Sequence, residues 1–110
     1  MELHSEALGD VMVARLKGDH LDASTVEDFK AAANPVIEKS MKIVLDMGSL
    51  NFVDSSGIGA LMICTQNQLK YGGSLRLVSP SESVNIALVL TGLDKFFSAF
   101  ASEAEALASF

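Results

Sequence analysis

The chain has no tryptophan, one tyrosine, one cysteine, two prolines and two histidines in 110 residues. The lone cysteine, Cys64, excludes an internal disulfide and fits a reducing compartment. So few histidines and cysteines, with the acids scattered, leave no ligand set for a metal ion, and no cofactor motif is complete. Cations are scarce as well: eight lysines and arginines stand against fourteen aspartates and glutamates, a formal net charge of −6. Nucleic acid and anionic membrane surfaces both demand a basic footprint, so both are excluded as partners. No apolar run approaches the roughly 20 residues of a membrane span. Residues 1–6 lack the basic start and apolar segment of a signal peptide. The expectation is a cytoplasmic protein whose acidity keeps it soluble or draws a partner with a basic face.

What is present is an ordinary globular balance, 49% hydrophobic and 20% charged, in a length that suits one domain, residues 1–110. With so few aromatic rings, the core is aliphatic, filled out by methionine and phenylalanine. Residues 3–8 and 11–16 read as two strands around the Gly9-Asp10 turn, a hairpin. Gly18 closes it, and residues 19–22 form a loop with Leu21 pointing inward. Residues 23–39 read as a helix capped by Ser24 or Thr25, with Glu27 and Asp28 in its first turn and Val26, Phe29, Ala33 and Ile37 on its buried face. Pro35 should kink this helix or divide it after Ala33. Residues 41–47 give a strand buried on both faces, and residues 48–53 a loop that carries Phe52 and Val53 into the core.

The second helix is expected over residues 55–71, ending at Gly72-Gly73, with Ile58, Leu61, Met62, Thr65 and Leu69 as its apolar stripe. Residues 74–78 form a further strand. Ser79-Pro80-Ser81 opens a third helix, with Val84, Ala87, Leu88 and Leu93 on its apolar face and Thr91-Gly92 breaking it. Residues 95–100 suggest a short edge strand, and residues 102–110 a last helix capped by Ser102. Glu103 and Glu105 there read as acids matched to the helix dipole, not as a carboxylate pair. Strand–helix alternation after a hairpin predicts an α/β domain: a mixed, mostly parallel sheet of about four to five strands with four helices. Function in such sheets gathers at the carboxyl ends of the strands.

The chemistry narrows to Asp54-Ser55-Ser56-Gly57, set between the buried strand and the second helix. Backbone N–H groups at a helix start lack intrahelical partners, and Asp or Ser oxygens supply them. A phosphoryl group placed on such a serine would meet the favourable end of the helix dipole. Several simpler readings stay open at this level. Asp54 and Ser55 serve equally as a plain cap, Ser56 as a first-turn hydroxyl, and Asp22 as a loop acid holding backbone N–H groups. Gly57 and Gly59 serve close packing or partner approach. Catalysis is disfavoured. His4 and His20 are the only bases of their kind, and neither Gly-x-Ser-x-Gly nor Ser-x-x-Lys occurs at the site. Gly57-x-Gly59 is a fragment of a dinucleotide fingerprint without its third glycine. Cys64 reads as buried and inert.

Val44-Leu45-Asp46-Met47 followed by residues 50–61, Leu-Asn-Phe-Val-Asp-Ser-Ser-Gly-Ile-Gly-Ala-Leu, resembles the signature of STAS domains. Within them it is most similar to the bacterial anti-sigma-factor antagonists. Gly18 with Leu21-Asp22-Ala23 matches the family's early Gly-x-Leu-Asp loop with one extra residue. Residues 72–77, Thr91-Gly92-Leu93, Phe96-Phe97 and residues 103–110 match later segments. The resemblance implies a non-enzymatic partner-switching protein, with no cofactor. In the family, an anti-sigma factor that is also a protein serine kinase phosphorylates the serine directly after the aspartate, here Ser55. The unphosphorylated form binds that kinase and frees the sigma factor, and a PP2C-type phosphatase restores it. The implied partner-binding residues are Asp22, Asp54, Ser56, Gly57 and Ile58, on a monomer or weak dimer. The alternative within the same family is a STAS binding, scaffold or sensor module in a larger complex, with no phosphoswitch and Ser55 only a cap. A small serine hydrolase built on Ser55 is the alternative from another class.

Overall fold

The computed structural model describes residues 1–95 and 97–110; Phe96, which falls in one of the matched segments and in the expected edge strand, lies outside them. Strand β1 (Glu2–Leu8) pairs antiparallel with β2 (Val11–Lys17), Leu8 facing Val11 across a two-residue turn. Gly9 takes φ 64° at the first turn position, the Gly-X pattern that matches the twist of a tight hairpin. A two-residue strand β3 (His20–Leu21) precedes helix α1 (Val26–Lys39), then β4 (Lys42–Asp46), β5 (Phe52–Val53), helix α2 (Ser55–Lys70) and β6 (Ser74–Val78). Helix α3 (Glu82–Leu90), a 3-10 turn (Leu93–Lys95), β7 (Ser98–Phe100) and helix α4 (Glu103–Ala108) complete the chain.

The main sheet runs β1-β2-β4-β6-β7, with every pair after the hairpin parallel. β3 and β5 form a separate parallel pair, His20 beside Phe52 and Leu21 beside Val53. Alternation along each strand divides the core between two faces. Ala14, Leu16, Ile43, Leu45, Leu75 and Leu77 meet α1, α2 and α3 on one face, while Val11, Val13, Val44 and Val78 meet α4 on the other. Burial of β4 on both faces follows from its central place: Ile43, Val44 and Leu45 are all buried. Each fully buried Leu or Phe contributes about 1.5–3 kcal/mol of transfer free energy, and Leu21, Phe29, Leu50, Leu61 and Leu77 are among those almost wholly removed from water.

The α/β architecture, the hairpin, the four helices and the mixed sheet of five strands match the sequence reading. So does the buried face of α1, Val26, Phe29, Ala33 and Ile37. Several details differ. α1 is not divided at Pro35 but runs from Val26 to Lys39, with Phe29, Ala33 and Ile37 buried on either side of the proline. Thr25 occupies the cap position of α1 but makes no side-chain cap; the Asp22 carbonyl accepts from Thr25 N and Val26 N instead, at 3.1 and 2.8 Å. Phe52 is not in the core: it is 50% exposed beside buried Val53, as the alternation of a strand requires. Lys95 belongs to the 3-10 turn rather than to the edge strand. The end of α2 is as expected. Gly72 at φ 78° donates to Leu69 O and Gly73 to Gln68 O, at 3.0 and 2.8 Å, the paired closing bonds of a Schellman motif.

Glu103 is more than a dipole-matched acid. Its carboxylate takes a two-pronged contact from Arg15, Nε and Nη2 each donating at 2.8 Å, and Arg15 also reaches Glu6 at 3.0 Å. The Arg15 guanidinium, first, and a hydrogen bond with Asp46, second, hold the Glu103 carboxyl down at about 2. Burial and that same contact with Glu103 push the Asp46 carboxyl up. Arg15 and Asp46 are register partners in β2 and β4, so the cluster pins the start of α4 to the sheet.

Candidate functional site

Asp54 is the residue on which the site is built. It stands in extended conformation at the N-cap of α2, and its Oδ1 accepts from Gly57 N at 3.0 Å. Its Oδ2 accepts from Ala23 N at 3.2 Å. One carboxylate thereby ties the start of α2 to the loop that leads into α1. The backbone adds a second tie, Asp54 N donating to Leu21 O at 3.2 Å. A third comes from Asp19 O, which accepts from Asn51 N and Phe52 N at 2.8 and 3.2 Å. The loop at residues 19–22, expected as irregular, is in part the short β3–β5 pair, and this holds Asp22 and Ala23 beside Asp54 at the start of α2.

Ser55 and Ser56 are the first two residues of α2 and both are exposed. Among the described residues, no hydrogen bond engages the hydroxyl of Ser55 or the N–H groups of Ser55 and Ser56. The hydroxyl is thus open to solvent at the positive end of a 16-residue helix. Asp22 stays partly exposed; its Oδ1 accepts from the Ser24 hydroxyl at 2.6 Å and from Ser24 N at 2.9 Å. The Ser24 hydroxyl bond, above all, holds the Asp22 carboxyl below its usual range. The loop-acid and partner-contact readings of Asp22 are therefore compatible, since one oxygen orders the loop while the residue remains accessible.

Gly57 and Ile58, grouped by the sequence with the partner-facing residues, point inward. Ile58 is 7% exposed. A Cβ at Gly57 would run into the Leu21 carbonyl oxygen and come within 2.6 Å of Val53 Cγ2. Their task is to seat the first turn of α2 against β3 and β5. Gly59 has no such task, because a Cβ there would meet nothing within 4 Å. The inner face of α2 is also rotated from the expected stripe. Ile58, Leu61 and Thr65 are buried as expected, but Met62 and Leu69 are exposed, and Ala60, Cys64 and Gln68 take the inner positions. Burial raises the Cys64 thiol to about 11, consistent with an inert filler.

The histidines stand apart from this chemistry. His20 contacts Asp19 Oδ1 at 2.6 Å and His4 contacts Glu2 at 2.9 Å, and among the described residues no hydrogen bond joins either to Ser55. The described residues hold no group of three or more His, Cys, Asp or Glu placed for a metal ion, and no helix among them is long and apolar enough to cross a membrane. Phe52, two residues before Asp54, is the neighbour of the site whose exposure the sequence reading missed. The signal was the two-residue alternation with Val53, which turns one of the pair outward.

The family model described as "STAS domain" matches residues 2–106. A curated relative, the anti-sigma F factor antagonist of Paenibacillus polymyxa, is 27% identical over 109 residues, covering 97% of this chain and 92% of that protein. The solved structure of the anti-sigma factor antagonist SpoIIAA in its unphosphorylated form is 28% identical with a TM-score of 0.77, over 96% of this chain and 92% of that one. That of the Bacillus cell fate determinant SpoIIAA in its phosphorylated form is 26% identical with a TM-score of 0.72, over 97% of each chain.

Proposed function

The chain belongs to the STAS domain family, and on that premise we propose that it is an anti-sigma-factor antagonist that changes partners when Ser55 is phosphorylated. The observation that carries the reading is the exposed Ser55 hydroxyl at the first position of α2, with its Asp54 neighbour already committed to capping. A hydroxyl so placed accepts a phosphoryl group without the fold having to open. The resulting anion lies against unengaged N–H groups and the positive end of the helix, so the folded state tolerates it.

The partner does not. Phosphorylation adds about −1.5 to −2 charges beside Asp54 and Asp22. A docked partner has to desolvate that charge against those acids, and a penalty of about 3 kcal/mol lowers affinity roughly a hundredfold. The partner of the unmodified form is an anti-sigma factor with protein serine kinase activity, and a PP2C-type phosphatase resets the switch. Half-buried Asp22 and Asp54 and exposed Ser56 form the contact around the hydroxyl, while Gly57 and Ile58 support it from within. The protein itself is non-enzymatic, without cofactor or metal, cytoplasmic, and a monomer or weak dimer. The test is incubation with the co-purified kinase and ATP, followed by intact mass and peptide mapping. One phosphate on Ser55 is expected; a phosphate mapped elsewhere, or none with a confirmed partner, refutes the reading.

A further inference from the structure

Strand β1 is the long free edge of the main sheet. It has seven residues and, among the described residues, no strand beyond it, whereas the opposite edge, β7, has three. Its register with β2 is unbroken from Glu2 opposite Lys17 to Leu8 opposite Val11, and Glu-Leu-His-Ser-Glu-Ala-Leu holds no proline, glycine or lysine. Shortness, bulges, prolines and charged side chains are the devices that keep one edge from adding to another. Of these β1 has only its charges, Glu2 and Glu6. His4, Ser5, Glu6, Ala7 and Leu8 are all exposed, so the fold leaves this stretch uncovered.

The hairpin decides which backbone groups are free. A two-residue turn is closed by a hydrogen-bonded pair, here Leu8 and Val11. Bonded and non-bonded pairs alternate from there, so Glu6, His4 and Glu2 turn their N–H and C=O toward β2. Leu3, Ser5 and Ala7 turn theirs outward, and among the described residues no hydrogen bond outside the strand ladders engages them.

We propose that a second copy of this chain adds to this edge, β1 against β1, antiparallel about a two-fold axis through Ser5. A closed dimer needs a surface that complements itself, and residues 3–7 supply one. With Ser5 opposite Ser5 of the second copy, Leu3 stands opposite Ala7 and His4 opposite Glu6, twice each. The outward groups of Leu3, Ser5 and Ala7 then meet in hydrogen-bonded pairs. His4 and Glu6 fall in the non-bonded pairs, where Cα atoms approach to about 4.5 Å and side chains lie closest. Glu6 has Oε1 on Arg15 at 3.0 Å, which leaves Oε2 for the second copy. Moving the axis by one residue sets Glu2 opposite Glu6, or Glu6 opposite Glu6, and like charges directly opposite destabilise a pair. The charges that guard the edge against other strands therefore admit one occupant in one register. The net charge of −6 on each copy opposes association, and an interface of one added strand belongs to the weak class, so the dimer forms with rising concentration. Its existence does not depend on the role of Ser55.

The experiment is sedimentation of the full chain over a concentration series reaching the millimolar range, with thermal melting of each variant. The wild type should pass from monomer to dimer. Ser5→Pro removes an outward N–H and no bond to β2, a place where a strand tolerates proline, and should stay monomeric throughout. His4→Glu, which faces Glu6 with a second acid, should weaken the dimer about tenfold, and His4→Lys should tighten it severalfold; His4→Glu carries the test should Ser5→Pro not fold. Glu82→Gln on α3 changes the net charge as His4→Lys does and should leave the dimer unaltered. Amide exchange should slow at Leu3, Ser5 and Ala7 as concentration rises. A wild type that stays monomeric, a dimer that His4→Glu or a folded Ser5→Pro leaves intact, or one lost in Leu90→Glu at the exposed end of α3, would overturn the proposal.

Discussion

At the scale of single residues, the site is defined by which groups are already engaged. Asp54 spends both carboxylate oxygens on backbone N–H groups, so it orients α2 and its neighbouring loop. Asp54→Ala should lower stability by about 0.5–2 kcal/mol, the usual effect of losing a cap, read as a shift in the urea midpoint. Gly57 is fixed by contact with Leu21 and Val53. Gly57→Ala should cost about 1–3 kcal/mol through overpacking, in the same measurement. Asp46 and Glu103 give a pH signature of opposite signs. Glu103, held at about 2 by Arg15, has a folded value below its unfolded one near 4.5. Its stabilising contribution is complete above that unfolded value and is lost as pH falls from about 4.5 toward 2. Asp46 is raised by burial and by Glu103, so its charged form opposes folding at neutral pH. Asp46→Asn should therefore raise the midpoint at pH 7 and leave it less changed near pH 3. A lower midpoint at pH 7 would contradict this.

At the scale of elements, most of the secondary structure was legible because period and punctuation agreed. The apolar positions of α1 and the double-glycine stop of α2 each had one reading, and of the Ser79-Pro80-Ser81 stretch expected to open α3, Ser81 is the cap, its Oγ accepting from Val84 N. The failures share a cause. Met62 and Leu69 are apolar residues at a helical period, so sequence assigned them to the buried face. An amphipathic pattern shows where the apolar residues lie, but not which of two apolar stripes the sheet will cover. Phe52 failed likewise: a two-residue strand is too short to declare its alternation, and only pairing with β3 fixes which side chain turns outward. Gly59 follows the same logic in reverse, a weakening residue with no internal reason. Gly59→Ala should raise the stability of the isolated protein by about 0.5–1 kcal/mol, measured by thermal or urea unfolding; a loss would mean the glycine serves the fold.

At the scale of the whole molecule, the sheet separates two tasks. One face and its helices α1, α2 and α3 build the platform for Ser55, and the other is closed by α4, latched by Arg15 to Glu103 and by Phe110 stacked 4.5 Å from the Arg76 guanidinium. The α/β architecture and the capped start of α2 at Asp54 were readable from strand–helix alternation and local capping chemistry, and the family from the resemblance of residues 44–47 and 50–61 to its signature. The Arg15–Asp46–Glu103 cluster was not, since its members lie far apart in the chain and meet only through strand register. A phosphate added at Ser55 would stand beside the Asp54 carboxylate in any interface formed there, while the open helix end favours the anion. In the proposed switch, binding changes while the fold is preserved. The most direct measurement is a titration of the co-purified kinase with the unmodified protein, with Ser55→Ala and with Ser55→Asp, each shown folded by melting. The unmodified protein and Ser55→Ala should bind alike and Ser55→Asp at least tenfold more weakly, with only the unmodified protein accepting phosphate. Equal affinity for all three, or a phosphate on Ser55→Ala, would contradict the central claim.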